Sequence, residues 1–338
     1  MLGRTGLTVK TLGFGGIPLQ RISEAEALSV VRRCHELGMN YFDTARNYTV
    51  SEARIGQALV DVRDEVYLAT KSSQRSKQGV LADLEVSLLN LQTDWIDVYQ
   101  LHNVSSREAW EAVQAPNGAL EALYAAHDRG QIRHLGITGH DPALLTEIVE
   151  ADIFETVMVA FNFLASVPAE ALLPACSARN VGTVIMKPFG GGAFTHAPTA
   201  LKFLMGNSDV DVIIPGMLSV AEVEENVAIA SGSSTLNPEE RRRLERDRAE
   251  LGTHVCRGCD YCQPCPQGIP ISWVLRWELF EKRIGWIPRF PQFRDGVAKA
   301  ATCLKCGECE SRCPYHLPIQ TLLPVYAASL EDQLASYN

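Results

Sequence analysis

Gly13-Phe14-Gly15-Gly16-Ile17-Pro18 closes the first strand-like run of the chain and decides how the later runs assemble. A doubly wound open sheet usually carries Gly-x-Gly-x-x-Gly at this place and starts a helix at once. Here the glycines are spaced differently, and Ile17-Pro18 gives no immediate helix start. Seven further strand-like runs follow Thr11–Phe14: Tyr41–Thr44, Val66–Lys71, Trp95–Leu101, Leu135–Thr138, Thr156–Ala160, Thr183–Met186 and Val212–Ile214. Amphipathic segments lie between them at Ser23–Leu37, Val80–Leu91, Ala119–Arg129, Pro142–Glu150, Ala169–Arg179 and Val220–Ala230. Ser23-Glu24-Ala25-Glu26 and Asp141-Pro142 read as helix starts, Leu37-Gly38 and Arg129-Gly130 as helix stops. Eight strand–helix repeats over ~220 residues match a (β/α)8 TIM barrel, a little below its typical ~250. An α/β barrel over residues 1–235 is therefore predicted.

At 338 residues the chain is long for one domain and comfortable for two. Its formal net charge of -9 argues against a nucleic-acid partner. No apolar run approaches the ~20 residues of a membrane span. The start Met1-Leu2-Gly3-Arg4-Thr5-Gly6 has no apolar signal core, so a cytoplasmic location is expected. A reducing cytoplasm keeps cysteines as thiols, available to metals.

Beyond the barrel, Asn237-Pro238-Glu239-Glu240 opens a highly charged helix reaching about Leu251, read as a connector over 236–252. Eight of the ten cysteines follow in two runs, Cys256-x2-Cys259-x2-Cys262-x2-Cys265-Pro266 and Cys303-x2-Cys306-x2-Cys309-x3-Cys313-Pro314. Thiolates at every third residue can converge on a compact inorganic core, as in a 4Fe–4S cluster. Structural zinc is the alternative, but it normally uses two Cys-x2-Cys pairs far apart. Two 4Fe–4S clusters are predicted in a ferredoxin-like domain over 253–338. In two-cluster ferredoxins the fourth cysteine of each run serves the other cluster. That rule pairs Cys256, Cys259 and Cys262 with Cys313, and Cys303, Cys306 and Cys309 with Cys265. Ile271–Ile284 and Ile319–Leu334 read as helices and Trp286–Phe293 as a proline-broken loop, which makes this domain small and mainly helical. Cys34 and Cys176 stand alone in helix-like stretches and read as buried apolar residues.

Active sites of such barrels lie at the C-terminal ends of the strands. Asp43 ends the second predicted strand, with Tyr48 five residues on; Lys71 ends the third, and His102 follows the fourth. Together they can form one acid-catalysis unit. A free phenol ionises near ~10, and a lysine beside it favours its anion. An aspartate can hold that lysine, and a histidine can give a second hydrogen bond to a substrate oxygen. Each of the four taken alone is more simply a cap, a packed aromatic, a solvated strand end or a core histidine. Four suitable types at neighbouring strand ends favour a catalytic site over those readings.

Gly3-Arg4-Thr5-Gly6-Leu7-Thr8-Val9-x3-Gly13-Phe14-Gly15, Asn40-Tyr41-Phe42-Asp43-Thr44-Ala45-x2-Tyr48, Leu68-Ala69-Thr70-Lys71 and Asp97-Val98-Tyr99-Gln100-Leu101-His102 resemble the aldo-keto reductases. The cysteine runs resemble the dicluster ferredoxin tail of one branch of that family. The resemblance implies hydride transfer between a nicotinamide and a small carbonyl or alcohol substrate, with Tyr48 as general acid, Asp43 and Lys71 tuning it, and His102 orienting the carbonyl. It further implies a cofactor site at Gly15, Gly16, Thr138, Asn162, Met186, Lys187, Gly216, Met217, Glu222, Glu225 and Asn226. Gly136-Ile137-Thr138-Gly139 stands for the family's Gly-Val-Ser-Asn, and Met186-Lys187-Pro188 for its Tyr-Ser-Pro. Glu222, where NADP-selective members are often basic, points to NAD(H) over NADP(H). A flavin is the alternative cofactor, and an external electron carrier is a partner that the clusters suggest. The competing functional reading is a non-catalytic nucleotide-binding redox sensor or electron-transfer protein.

Overall fold

The computed structural model describes residues 1–285 and 287–337. Trp286, placed above in a proline-broken loop, lies outside the described residues. These residues divide into two compact units, one of Met1–Pro188 with Ala197–Leu236, the other of Phe189–His196 with the chain from Asn237 onward.

The first unit is a parallel barrel. Its strands are β1 (Phe14–Gly15), β2 (Tyr41–Asp43), β3 (Tyr67–Ser72), β4 (Ile96–Leu101), β5 (Ile132–Gly139), β6 (Thr156–Ala160), β7 (Gly182–Met186) and β8 (Val212–Ile213). They pair in sequence order, every pair parallel. A parallel bridge between Leu12 and Ile213 joins the first strand to the last. The Gly13 amide donates to the Ile213 carbonyl at 2.9 Å, and the Ile213 amide to Thr11 at 2.7 Å. No sheet edge is left at this seam. The predicted barrel is therefore present, with β1 and β8 shorter than their apolar runs.

Side chains alternate along each strand, so Val98, Gln100 and His102 share one face of β4 and its continuation. Tyr41, Ala69, Val98, Met158 and Val212 pack together with Leu2 and Leu7. Gly15 and Gly16 are needed where β1 meets its neighbours. A β-carbon at Gly15 would lie 2.7 Å from the Ile214 carbonyl oxygen, and one at Gly16 would lie 2.8 Å from that of Asp43.

Helices Ser51–Leu59, Arg107–Gln114 and Ala197–Met205 join the predicted set. The first has Ser51 and Glu52 on its buried side, which hides its apolar periodicity. It lies close on helix Lys77–Leu91: a β-carbon at Gly56 would sit 2.4 Å from the Asn90 carbonyl oxygen.

The second unit is helical. Its opening helix, Pro238–Leu251, is capped by Asn237 and Glu240 in a reciprocal pair of hydrogen bonds. The predicted helix Ile271–Ile284 is two, Ile271–Val274 and Trp277–Ile284, separated at Leu275 and Arg276. The expected loop is instead a short turn, Ile287–Arg289, followed by helix Pro291–Ala300. Pro291 stands in the first turn of that helix, where its missing N–H costs nothing. The final helix is Ile319–Ala335. Trp273 stacks on Phe280 at 4.9 Å, and Phe293 meets both edge-on at 5.4 Å. These rings give a small domain much of its apolar interior.

Candidate active site and cysteine centres

The four predicted catalytic residues come together at the C-terminal mouth of the barrel. Lys71, only 1% exposed, donates from Nζ to Asp43 Oδ1 at 2.6 Å and to the Thr44 carbonyl at 2.5 Å. Gln100 Nε2 donates to the other Asp43 oxygen at 3.0 Å. The Lys71 ammonium lies 5.1 Å from the centre of the Tyr48 ring. Tyr48 and His102 meet edge to face at 5.8 Å. Asp43 and Lys71 thus form a buried floor, with Tyr48 and His102 half-buried above it.

Burial pushes the Asp43 carboxyl above its ordinary range, against the opposing pull of Lys71 and Gln100. For His102, burial and then the charges of Lys71 and Arg75 push the imidazole down to about 3. Nδ1 of His102 faces the Ser73 hydroxyl at 3.4 Å.

The loop bearing Tyr48 is fixed by residues that the sequence reading missed. Glu52, fully buried, accepts from Arg46 at 2.9 Å, Thr70 at 2.7 Å, Ser87 at 2.6 Å and Asn90 at 3.1 Å. Arg46 belongs to the Tyr48 loop, and its amide donates to the Lys71 carbonyl at 3.0 Å. Thr70 precedes Lys71 in β3. One carboxylate therefore ties the Tyr48 loop, the lysine's strand and helix Lys77–Leu91 together. On the other side Thr44 donates to Ser51, and Ser51 to the Gly16 carbonyl, at 2.8 and 2.9 Å. Gln100 could have been found from its place between Val98 and His102 on an inward face. Glu52 was signalled only as an acid on the buried side of a short helix.

The residues assigned to a cofactor fall in several groups. Gly15 and Gly16 line the barrel seam. Thr138 is buried, and its hydroxyl oxygen accepts the Asn103 amide at 2.8 Å, which leaves the hydroxyl hydrogen to donate. Asn162 turns its oxygen to the amides of Leu164 and Ala165, each at 2.9 Å, and gives a hydrogen bond to the Lys187 carbonyl at 2.9 Å. Its amide therefore organises the turn after β6. Met186 is half-buried and packs on the barrel core. Gly216, Met217 and Glu222 stand after β8, where Glu222 accepts the Leu218 amide at 2.7 Å. Glu225 is exposed and Asn226 buried on helix Val220–Ala230. The Thr138 hydroxyl, with its hydrogen left to donate, fits a polar cofactor at the strand ends.

In the second unit the cysteines surround two cavities. Cys256, Cys259, Cys262 and Cys313 line one. Cys265, Cys303, Cys306 and Cys309 line the other, with Cys262 at its border. Among the described residues no three His, Cys, Asp or Glu side chains close on a point as tightly as one metal ion needs. Burial, with the neighbouring Cys256 and Cys313 sulfurs, pushes the Cys259 thiol up to about 11. Sulfur-only donor sets around a cavity fit a polynuclear iron–sulfur core, whose positive metal centres would hold such thiols ionised.

Residues 11–199 match the sequence model described as the Aldo/keto reductase family. The chain belongs to the aldo-keto reductase family. Residues 255–318 match a 4Fe-4S dicluster domain, so this aldo-keto reductase carries an iron–sulfur region at its C-terminal end. It is 27% identical to an L-galactose dehydrogenase of Arabidopsis thaliana over 70% of this chain and 88% of that protein. A D-threo-aldose 1-dehydrogenase of a Pseudomonas species is 26% identical over 57% of this chain and 69% of its own length. In fold it resembles the holo form of an aldo-keto reductase from Bacillus halodurans, with a TM-score of 0.63 and 26% identity over 73% of this chain and 95% of the other. Membership makes it an oxidoreductase. Among the described residues no helix is long and apolar enough to cross a membrane.

A depressed imidazole has a stability signature. The folded state refuses a proton that unfolded His102 takes near 6.5, so its contribution is present above that value and lost as pH falls toward about 3. NMR titration of the His102 ring should show it neutral from pH 5 to 8; a midpoint near ~6.5 would contradict the half-buried, cation-flanked setting.

Proposed function

We propose that this aldo-keto reductase interconverts a small carbonyl compound and its alcohol by hydride transfer, with Asp43, Tyr48, Lys71 and His102 as its catalytic unit. The observation that carries the reading is the Lys71 ammonium held between Asp43 and the Tyr48 ring. A nicotinamide, which the Thr138 hydroxyl would help to hold, would supply or accept the hydride. Tyr48 donates its phenolic proton to the carbonyl oxygen as negative charge develops there. The ammonium beneath the ring stabilises the resulting phenolate, while Asp43 and the Thr44 carbonyl prevent the lysine from turning away. His102 acts as a neutral donor: in the tautomer whose Nδ1 accepts from the Ser73 hydroxyl, Nε2 carries the hydrogen offered to the same oxygen.

Residues 1–235 carry this chemistry in the proposal, and 253–338 hold two 4Fe–4S clusters, joined through 236–252. Cys256, Cys259, Cys262 and Cys313 would ligate one cluster; Cys265, Cys303, Cys306 and Cys309 would ligate the other. The lining of the two cavities supports that division. Cys306 is exposed, which favours electron exchange with an external carrier at the second cluster.

The cofactor preference follows from Glu222. Its carboxylate lies on the Leu218 amide at the start of helix Val220–Ala230, where it repels a 2′-phosphate and can accept from a free ribose hydroxyl. A nicotinamide, rather than a flavin, agrees with the Thr138 hydroxyl and with the family.

Tyr48→Phe should lower kcat for NADH-dependent reduction of 4-nitrobenzaldehyde by ~10²–10⁴-fold while leaving NADH affinity within about threefold. Unchanged turnover would remove Tyr48 from the mechanism. In calorimetric titrations of the purified protein, NADH should bind roughly tenfold or more tightly than NADPH, a difference of ~1.4 kcal/mol, and Glu222→Gln should narrow that gap. Equal affinities in the unsubstituted protein would contradict the role given to Glu222.

A further inference from the structure

Arg276 is an unusual arginine. It lies at the break between helices Ile271–Val274 and Trp277–Ile284 and is only 9% exposed. Among the described residues no carboxylate and no hydrogen-bond acceptor meets its guanidinium; its ring contact is Phe280, at 5.2 Å. A guanidinium keeps its proton and offers five N–H donors, so one with no acidic partner is free to serve an anion. Such a residue implies an anion close by.

The local backbone shows where that anion belongs. A β-carbon at Gly258 would lie 1.9 Å from Arg276 Nη1, so the Cys256–Cys259 loop gives up a side chain to seat the guanidinium. Gly258 also has φ +67, which suits glycine. Gly258 stands between Cys256 and Cys259, so the guanidinium lies against the loop that carries two of the four thiols. Two charged residues, Arg257 and Asp260, line the cavity itself. Asp260 is exposed, and Arg257 is held on the Gly252 and Val255 carbonyls and on the Tyr315 ring. They are of opposite sign, and Arg276, packed against the Cys256–Cys259 loop, adds a further positive charge.

The second cavity is arranged differently. Arg312 pairs with Glu308 at 2.7 Å, and Lys305 is exposed. A paired or hydrated cation exerts little net field.

We infer that Arg276 is the counter-cation of the cluster held by Cys256, Cys259, Cys262 and Cys313, and that it sets this cluster's reduction potential above that of the second cluster. Each one-electron reduction adds a negative charge to a cluster. A fixed cation beside the cluster stabilises the reduced form more than the oxidised one. Electrons therefore collect on the first cluster before the second is filled. The inference rests on the two-cluster reading and adds an order of reduction to it.

The test is a dithionite titration of the anaerobically purified full-length protein with redox mediators, followed by electron paramagnetic resonance. About eight irons per chain and two reduction steps are expected. In Arg276→Gln the upper step should fall so that the reduced-to-oxidised ratio at the original midpoint drops at least tenfold, equivalent to ~59 mV for one electron. The lower step should stay in place, and Arg276→Lys should keep the upper ratio within about threefold of the original. Two steps that both ignore Arg276→Gln would overturn the inference. Should that variant lose its iron, the unsubstituted protein decides: coincident steps contradict the inference, and resolved steps support it. About four irons and one step in the unsubstituted protein would instead remove the two-cluster reading itself.

Discussion

A lysine ammonium cannot be sealed inside a barrel without partners fixed in advance. Taking such an ion out of water costs several kcal/mol even after relaxation, and good geometry must offset it. Lys71 meets that demand with Asp43 and the Thr44 carbonyl, both at the end of β2. Asp43 is held in turn by Gln100 from β4. Three consecutive strands are thereby brought into register by one charge. The Tyr48 ring can lie over the ammonium only because its loop is tied down by Glu52 through Arg46 and by the Thr44–Ser51–Gly16 hydroxyl chain. The chemistry proposed for the site depends on that stack of constraints.

The second unit solves a related problem with different means. Its apolar interior is small, so aromatic rings around Trp273 and Phe293 supply much of it, and cysteine thiols fill part of the rest. Thiols packed this closely resist ionisation, as Cys259 shows. An iron–sulfur core gives those sulfurs a reason to be charged, and Arg276 gives the core a counter-charge. Both units place a buried cation beside the group it is proposed to tune.

The barrel and the cysteine centres were readable in the chain because each has a strong local signal. Alternating apolar runs and helical patterns give the barrel; Asp43, Lys71 and His102 stand at strand ends, and the cysteine runs have a fixed spacing. What escaped was set by tertiary packing. Glu52 on a short helix carries no periodic signal, since its worth comes from Arg46, Thr70, Ser87 and Asn90, which arrive from elsewhere. Pro291 read as a helix breaker and is a helix starter. Arg276 sits inside what looked like one continuous helix, and only the break reveals that it is buried. The Asn162 amide is turned to the adjoining backbone, which only the folded turn after β6 shows.

The central claim is that Asp43 and Lys71 act as one unit beneath Tyr48. A double-mutant cycle with Asp43→Asn and Lys71→Met, read as kcat/KM for NADH-dependent reduction of 4-nitrobenzaldehyde, addresses it most directly. Each single change should cost ~10²-fold or more, and the double variant should be no worse than the poorer single, because the second change removes a partner already lost. Losses that multiply, or a Lys71→Met variant that turns over normally, would contradict the account.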